Sequence, residues 1–589
     1  MTTIWSLWQN ALAEERGGPA YLVEEDDGWR GVSWPEAALA VDELAHGLLA
    51  LGIGKGDAFG MLARTRLEWS LLDFALAQVG AVAAPIYPSV TSAECCYILE
   101  HSKAVGCLVE DEADFARIEP ARPAHVYTPE ALDDLRALGR EHAVRDPDAL
   151  DRARAQIGEE DLFTFIYTSG TTGPPKGCMI LNRNYSEMVT TIDRIENFFL
   201  PTDVMLLYLP LAHNFGRLMQ LLGAHLGFTI AFCPDPRRIA EVMPQVRPTV
   251  LPTVPRVLEK MHTTVSANFA EATGAKRRLI DWALAVGGRS SALQQQRRPL
   301  PLVLSVQRRL ADRLVYSKVK QRLGGRLRAA ISGGAPLAKE IAEFFHALDL
   351  LVLEGYGQTE CTTASNVNRP DWFKFGTVGP ALPGVEVRTA EDGEILIRGR
   401  TVFAGYYEDE DATRAVLSDD GWLHTGDVGE IDSDGFLRVT DRKKDIIVTA
   451  GGKNVAPQNI ENSLKSARWI SQALVVGDRR PFLIALITLD EDEVSKWAAE
   501  RGPDGNLSQR EDVRTLIEEA VGDVNADLAH FEQVRRFVIL PRDFSADENE
   551  ITPTLKLKRR ICEEHFADEI EALYRARSRV RRGGAIRPE

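Results

Sequence analysis

A run of small, hydroxylated and cationic residues between positions 168 and 177 carries the strongest chemical signal in the chain. An apolar segment, FTFIY, leads into Thr168, Ser169, Gly170, Thr171, Thr172 and Gly173, followed by Pro174, Pro175, Lys176 and Gly177. Small residues let backbone N–H groups come close to phosphate oxygens, hydroxyls add further donors, and Lys176 adds a positive charge. The order differs from the Gly-x-x-x-x-Gly-Lys-Ser/Thr loop, because this lysine follows two prolines that have no N–H to give. So particular a string is more than a Gly/Thr surface turn requires, and the chemistry it implies is the gripping of a nucleotide phosphate.

Such a loop has to be presented by a strand within a larger frame, and the flanking sequence supplies one. DELAHGLLALGIGKGD reads as an amphipathic helix closed by Gly52, with a turn at Gly54 and Gly56. FGMLA reads as a strand, WSLLDFALAQ as a helix and AVAAPIYP as a strand. Thr91 and Glu94 have capping-box spacing and open a helix through Ile98 and Leu99, before the short apolar run VGCLVE. This alternation predicts an α/β fold in which mainly parallel sheets are covered by helices. Residues 260–321 are helix-rich, carry the basic cluster QQQRRPLP and read as a solvated insertion. From Gly376 to Val448 short strands alternate with Gly and Asp turns, predicting a β-rich subdomain. After Asp441 a smaller α+β unit follows, with strands at ALVVGD, FLIALITL and RRFVIL. The expected domains are 1–441 and 442–589, with a basic, disordered tail from about residue 575.

Bulk properties bound the function. At 589 residues the chain exceeds one ordinary core, and 44% apolar with 26% charged residues is a globular composition. A net charge of −17 argues against general affinity for nucleic acid or anionic membrane, although a local basic patch can still hold a phosphorylated ligand. Seven cysteines without paired metal-ligand spacing suggest reduced thiols and a cytoplasmic protein. The N-terminal MTTIWSLWQNALAEERG lacks a basic leader followed by an apolar block, so no secretory signal is expected. Trp69–Pro85 contains Asp73, Gln78 and Gly80 and reads as a buried helix and strand instead of a membrane span.

YTSGTTGPPKG resembles the signature of the adenylate-forming superfamily of acyl-CoA synthetases, luciferases and peptide-synthetase adenylation domains. Further blocks follow in that family's order: YLPLAHNFGR, GGRLRAAISGGAPL, EGYGQTE, GWLHTGDVGEIDSDGFLRVTDRKKDIIVTAGGKNVAP and ITPTLKLKRR. The resemblance covers nearly the whole chain, and TDRKKDIIVTAGGKNVAP, PTVPRVLEKM and TPTLKLKRR look most like the long-chain fatty acyl-CoA synthetase branch.

What the resemblance implies can be set against residue chemistry. Tyr356 would lie against adenine, with Gly357 and Gln358 in the same nucleotide-binding turn, Thr359 would contact the α-phosphate, and Glu360 would help to hold Mg2+. A hard carboxylate oxygen suits magnesium and a flat ring suits a purine. Gly333, Gly334 and Ala335 resemble the adenine-binding strand turn, Asp427 would accept from the ribose hydroxyls, and Arg442 would reach the ribose and phosphate region. Trp422 reads as a packing residue. His213 stands where the family has a residue beside the substrate carboxylate, which is already ionised at neutral pH and needs no general base. Lys556 would bridge carboxylate and α-phosphate, but Leu555 stands where many relatives have glycine, and Lys558, on the same side of an extended segment, keeps the register open.

The implied reaction is ATP-dependent activation of a long-chain fatty acid to acyl-AMP and transfer to coenzyme A. A mobile C-terminal domain would swing about Lys444, withdrawing Lys556 and bringing Ala450, Gly451 and Gly452 toward the pantetheine arm. Two alternatives stay open: an acyl-AMP ligase loading a carrier protein, and a non-catalytic nucleotide-binding protein of the same fold. Fatty acid, ATP, Mg2+ and coenzyme A are the implied ligands, and no obligate protein partner is legible. Peripheral contact with the inner membrane face, through QQQRRPLP or the basic tail, is a further expectation.

Overall fold

In the computed structural model the chain divides into two units, Met1–Val439 and Thr440–Glu589. The structure describes residues 2–168, 174–499, 501, 506–545, 548–552 and 556–575. The predicted tail beyond Arg575 therefore lies outside the described residues, as does Leu555.

The first unit is built on two large sheets. One has six strands in the order His125–Tyr127, Gly106–Val109, Ala58–Leu62, Val82–Pro85, Leu162–Thr168 and Lys176–Leu181. The first five run parallel and the last pairs antiparallel with its neighbour. The sequence signals for this part translate directly. Gly52 follows the helix Trp34–Ala50 at φ 79°, and Gly80 at φ 75° closes the helix Leu67–Val79. All of that second helix except Glu68 is buried, so its lack of a polar face reflects burial on every side. Thr91 and Glu94 form both arms of a capping box at the helix Ser92–His101.

The other large sheet has eight strands, ordered Asn366–Val367, Leu351–Tyr356, Ala329–Ser332, Val250–Thr253, Val204–Leu207, Thr229–Phe232, Tyr21–Glu25 and Gly28–Val32. Its middle is parallel and its two outermost pairs are antiparallel. A four-stranded sheet of Glu386–Thr389, Glu394–Arg398, Leu423–Ile431 and Leu437–Arg442 forms the β-rich subdomain.

Residues 260–321 depart from the expected solvated insertion. The helix Gly274–Gln295 buries Ile280, Ala283 and Val286, and a Cβ on Gly287 would sit 1.9 Å from the Ala347 carbonyl oxygen. That backbone contact docks the helix on the helix Lys339–Ala347, so the region is part of the unit's core packing. Its polar sequence reflects one face only. The QQQRRPLP cluster itself is exposed at Arg297 and Arg298.

In the second unit the strand Leu483–Leu489 lies between Ile470–Val476, antiparallel, and Val534–Ile539, parallel. Strand alternation sends Leu483, Ala485 and Ile487 into one apolar cluster, with Ile517 and Val521 of the helix Glu511–Ala526. Ile484 and Leu486 face a second cluster with Cys562, Phe566 and Ile570. Both faces are covered, which is why FLIALITL reads as a continuous apolar run. Among the described residues no helix is long and apolar enough to cross a membrane, and Trp69–Pro85 is a buried helix and strand as expected.

Candidate functional site

Thr168 and Lys176 are cross-strand partners at the ends of antiparallel strands Leu162–Thr168 and Lys176–Leu181. Ser169, Gly170, Thr171, Thr172 and Gly173, between them in sequence, lie outside the described residues. Lys176 Nζ stands 3.6 Å from Asp409 and 5.1 Å from the centre of the Tyr406 ring. The Tyr406 hydroxyl in turn donates to Glu360 Oε1 at 2.7 Å. Burial, reinforced by the Glu360 charge, pushes the Tyr406 phenol far up, so it stays a donor at neutral pH. One tyrosine thus touches both the loop's cation and the carboxylate expected to hold a metal. Its backbone is fixed by Met179 N–H donating to Gly405 O and Tyr407 N–H donating to Gly177 O, which lay the GYY segment beside the strand that begins at Lys176. Neither Tyr406 nor Asp409 was singled out from sequence, where FAGYYEDED has no phosphate-binding pattern.

The strand Leu351–Tyr356 delivers a second cluster. The Tyr356 hydroxyl donates to Asp427 Oδ2 at 2.7 Å, and Gln358 Nε2 donates to the same oxygen at 2.6 Å and to Thr425 O at 2.8 Å. Asp427 is buried in the strand Leu423–Ile431. The turn after Tyr356 is tight: a Cβ on Gly357 would meet Thr363 O at 2.2 Å and the Ala364 Cα at 2.5 Å, so only glycine fits. Thr359 and Glu360 then form a short 3-10 turn through Cys361. Thr362 and Thr363 follow with φ of 52° and 90°, left-handed values that cost non-glycine residues on the order of 1–3 kcal/mol each. Their hydroxyls hold them there, donating to Thr401 O at 2.6 Å and Asn214 O at 3.2 Å.

Asn214 begins the helix Asn214–Leu226, and His213 is its N-cap, accepting the Phe215 N–H on Nδ1 at 3.1 Å. The Phe215 ring lies 3.4 Å from where a Gly333 Cβ would sit. The His213, Gly333 and EGYGQTE blocks are therefore neighbours. Gly334 takes φ 85°, which the turn into Ala335 requires. Past that turn, Leu337 N–H donates to Glu354 Oε1 at 3.0 Å. Burial pushes the Glu354 carboxyl up to about 8, offset only in part by that bond.

Beneath these blocks sits a buried ionic node. Arg217, with no exposed surface, donates from Nε to Asp73 Oδ2 at 3.0 Å, from a terminal nitrogen to Asp73 Oδ1, and from the other to Thr164 Oγ1 at 2.6 Å. Gln220 donates to Asp73 at 2.9 Å, and the guanidinium lies 4.3 Å from the Phe163 ring centre. The node joins the strand leading to the phosphate loop, the helix Leu67–Val79 and the helix capped by His213. Trp422 is buried, with the guanidinium groups of Arg388 and Arg398 at 4.1 and 4.6 Å from its ring centre, in accord with a packing role.

Arg442, Lys444, Gly451 and Lys556 belong to the second unit. The border between units falls between Val439 and Thr440, and Lys444 lies in the turn that follows the strand Leu437–Arg442. Asp441 accepts the Arg442 and Gln458 N–H groups at 2.6 and 3.2 Å. A Cβ on Gly451 would meet Thr449 Oγ1 at 3.9 Å. Lys556 pairs with Thr552 through its backbone, and its side chain is exposed. Lys558 is bonded through Nζ to Asn549 and precedes the helix Arg559–His565.

Two family profiles match this chain: AMP-binding enzyme over residues 8–407 and AMP-binding enzyme C-terminal domain over residues 444–578. The chain is 38% identical over 587 residues to long-chain-fatty-acid–CoA ligase FadD15 of Mycobacterium tuberculosis, covering 95% of each. It is 32% identical to long-chain-fatty-acid–CoA ligase 5 of Rattus norvegicus, over 97% of this chain and 88% of that one. Among solved structures, the adenylation domain of a carboxylate reductase from Mycobacterium chelonae superposes with a TM-score of 0.75 at 22% identity, over 97% of this chain and 91% of that one.

Proposed function

The chain belongs to the AMP-binding enzyme family, closely related to long-chain fatty-acid–CoA ligases, and from that premise we propose how its residues divide the reaction. It is an AMP-forming acyl-CoA ligase that spends ATP to activate a fatty acid and passes the acyl group to coenzyme A. A carboxylate oxygen of the fatty acid bonds to the α-phosphorus as the bond from that phosphorus to pyrophosphate breaks, giving acyl-AMP. The thiol sulfur of coenzyme A then bonds to the acyl carbon, its proton is lost, and AMP leaves with the C–O bonding pair.

The observation that carries the site reading is the knot in which Tyr356 and Gln358 both donate to Asp427. It fixes an aromatic face and a two-oxygen acceptor together, the pair that an adenosine needs for its base and ribose. Gly333, Gly334 and Ala335 leave space for the base, while Thr168, Ser169, Gly170, Thr171, Thr172, Gly173 and Lys176 receive the phosphates. Thr359 donates at the α-phosphate, and His213, held by its capping bond, orients the acid. Arg442 and Lys556 supply cations in this reading: Lys556 offsets the charge that builds when carboxylate and α-phosphate approach.

Magnesium supplies charge neutralisation on the phosphate oxygens. Glu360, whose Oε1 accepts from the Tyr406 hydroxyl, would be the protein group that holds it, a hard carboxylate oxygen suited to that cation. Lys444, in the turn next to the border between units, is the hinge in this reading, and residues 442–589 the mobile domain. Gly451, which has no side chain, lets the thiol arm pass close to backbone in this reading.

Supplying a panel of carboxylic acids with ATP, magnesium and coenzyme A tests the reading, with long-chain acyl thioester as the expected product. Acyl-AMP that forms but loads only a carrier protein would replace coenzyme A as acceptor. No AMP-linked product from any acid would overturn the reading. Contact with a lipid surface belongs to the same proposal, because long acyl chains partition into bilayers.

A further inference from the structure

Among the described residues the second unit leaves two large apolar side chains in water, Val448 and Phe531, with 44% and 41% of their surface open. Both flank the turn that carries Gly451 and Gly452. Val448 ends the strand Ile447–Val448 that enters the turn, and it pairs with Asn454 of the strand Asn454–Val455 that leaves it. Phe531 comes from a distant segment, the turn between the helix Glu511–Ala526 and the strand Val534–Ile539, and its ring centre lies 5.9 Å from Lys453 Nζ. Its exposure is held in place. Gln533 Nε2 donates to Asn525 O at 3.0 Å, Asn525 Nδ2 to Val534 O at 2.9 Å, and Val534 N–H to Asn525 Oδ1 at 2.9 Å, so the turn is pinned on both sides. An aromatic ring kept in water by a pinned turn presents a flat face for stacking.

Cations gather round the same glycine turn. Lys453 is exposed. Arg479 sits in the hairpin that joins Ile470–Val476 to Leu483–Leu489, its side chain 92% open beside Asp478 at 3.6 Å. That hairpin is fastened to the glycine turn: Arg479 N–H donates to Val448 O at 2.8 Å, Ala450 N–H to Arg480 O at 2.9 Å, and Val448 N–H to Asp478 Oδ1 at 3.0 Å. Arg479 takes φ 55°, a left-handed value that is costly for a residue with a side chain and that gathers at ligand sites. Arg535 is exposed and turns its guanidinium back to His530 O at 3.0 Å, the residue before the ring. The acid next to the ring, Glu532, is engaged with the Ala529 N–H at 3.2 Å.

From this juxtaposition we propose that Phe531, with Lys453, Arg479 and Arg535 about it, is the site for the nucleotide end of coenzyme A. The adenine stacks on the Phe531 ring, and the three cations meet the 3′-phosphate and the 5′-diphosphate. A base needs an aromatic face, and phosphates on a flexible carrier need cations on long stems. The proposal rests on the reading in which Gly451 admits the thiol arm. Lys453 lies two residues beyond that glycine, so one molecule has its arm and its nucleotide on the same turn. A protein partner fits the patch less well, since one ring and one valine fall far short of the ~800 Å2 per side that a stable interface buries.

The test compares coenzyme A with pantetheine, which has the same thiol arm and no nucleotide, as acceptors of the acyl group from supplied acyl-AMP. Phe531→Ala and K453E/R479E should each raise the KM for coenzyme A on the order of tenfold. The KM for pantetheine and the release of pyrophosphate from ATP and fatty acid should stay as in the parent. A parent that takes both acceptors with the same KM overturns the proposal. So does a variant whose KM rises equally for both, the result that damage to the turn alone would give. Titration of adenosine 3′,5′-bisphosphate into the full chain saturated with AMP reads the site without turnover. The parent should bind it, and Phe531→Ala should weaken that binding on the order of tenfold; no binding by the parent, or equal binding by both, overturns the proposal. Failure of the ligase reading would show as no thioester with either acceptor, and the titration would still decide for or against the nucleotide site.

Discussion

The hydroxyl of Tyr356 donates to Asp427 Oδ2 at 2.7 Å, tying an aromatic ring at the end of one strand to a carboxylate in another 71 positions away. Burial and the neighbouring Asp427 charge push the Tyr356 phenol far up, so the bond persists across the working pH range. Tyr356→Phe keeps the ring and removes the donor, leaving Gln358 to hold a buried carboxylate. The KM for ATP should rise about 5- to 20-fold, equivalent to ~1–2 kcal/mol, with kcat less affected. An unchanged ATP KM would show that the knot does not position the nucleotide.

Tyr406 holds Glu360 while its ring lies under Lys176. Tyr406→Phe should therefore raise the magnesium concentration needed for half-maximal pyrophosphate release by roughly 5-fold, the loss of one ordinary hydrogen bond. Saturating magnesium should restore most of the rate. A variant whose defect is the same at all magnesium concentrations would place the effect elsewhere.

Lys556 and Lys558 can be told apart by half-reaction. Lys556→Ala should slow adenylation on the order of 10²- to 10³-fold and leave thioester formation from supplied acyl-AMP largely intact. Lys558→Ala should do neither, since its side chain is engaged with Asn549. Reversal of the two results would shift the register by two positions.

Glu354 predicts a pH dependence of stability. Its folded carboxyl holds a proton up to about 8, well above the ordinary 4.5, because it is buried. Between those values the folded state binds one more proton than the unfolded state, so stability is greatest at the acidic end and falls as pH rises, by up to ~1.4 kcal/mol per pH unit. Glu354→Gln mimics the neutral form. Its melting temperature should fall less than the parent's between about pH 6 and 8, and parallel curves would refute the assignment.

The Arg217–Asp73 node should be expensive to break from one side. Arg217→Met leaves Asp73 buried without its partner and should cost about 3–5 kcal/mol, read by urea unfolding. The double variant R217M/D73N should recover much of that loss. If the single and double variants are equally unstable, packing rather than charge accounts for the effect.

The sequence alone determined the order of elements and the chemistry of the motifs. The capping box at Thr91, the glycines closing helices at positions 52 and 80, and the all-buried strand at FLIALITL obey local rules of backbone geometry and periodicity, so they are legible one segment at a time. EGYGQTE was legible for the same reason: its constraints are steric and local, as the close approach of Thr363 O to Gly357 illustrates. What only the tertiary structure decided are the pairings between distant segments. Nothing near residue 406 announces that Tyr406 will meet Glu360 and Lys176, and nothing near residue 73 announces Arg217. Polar helices in residues 260–321 resembled a solvated insertion because composition averages over both faces of a helix, whereas packing acts on one.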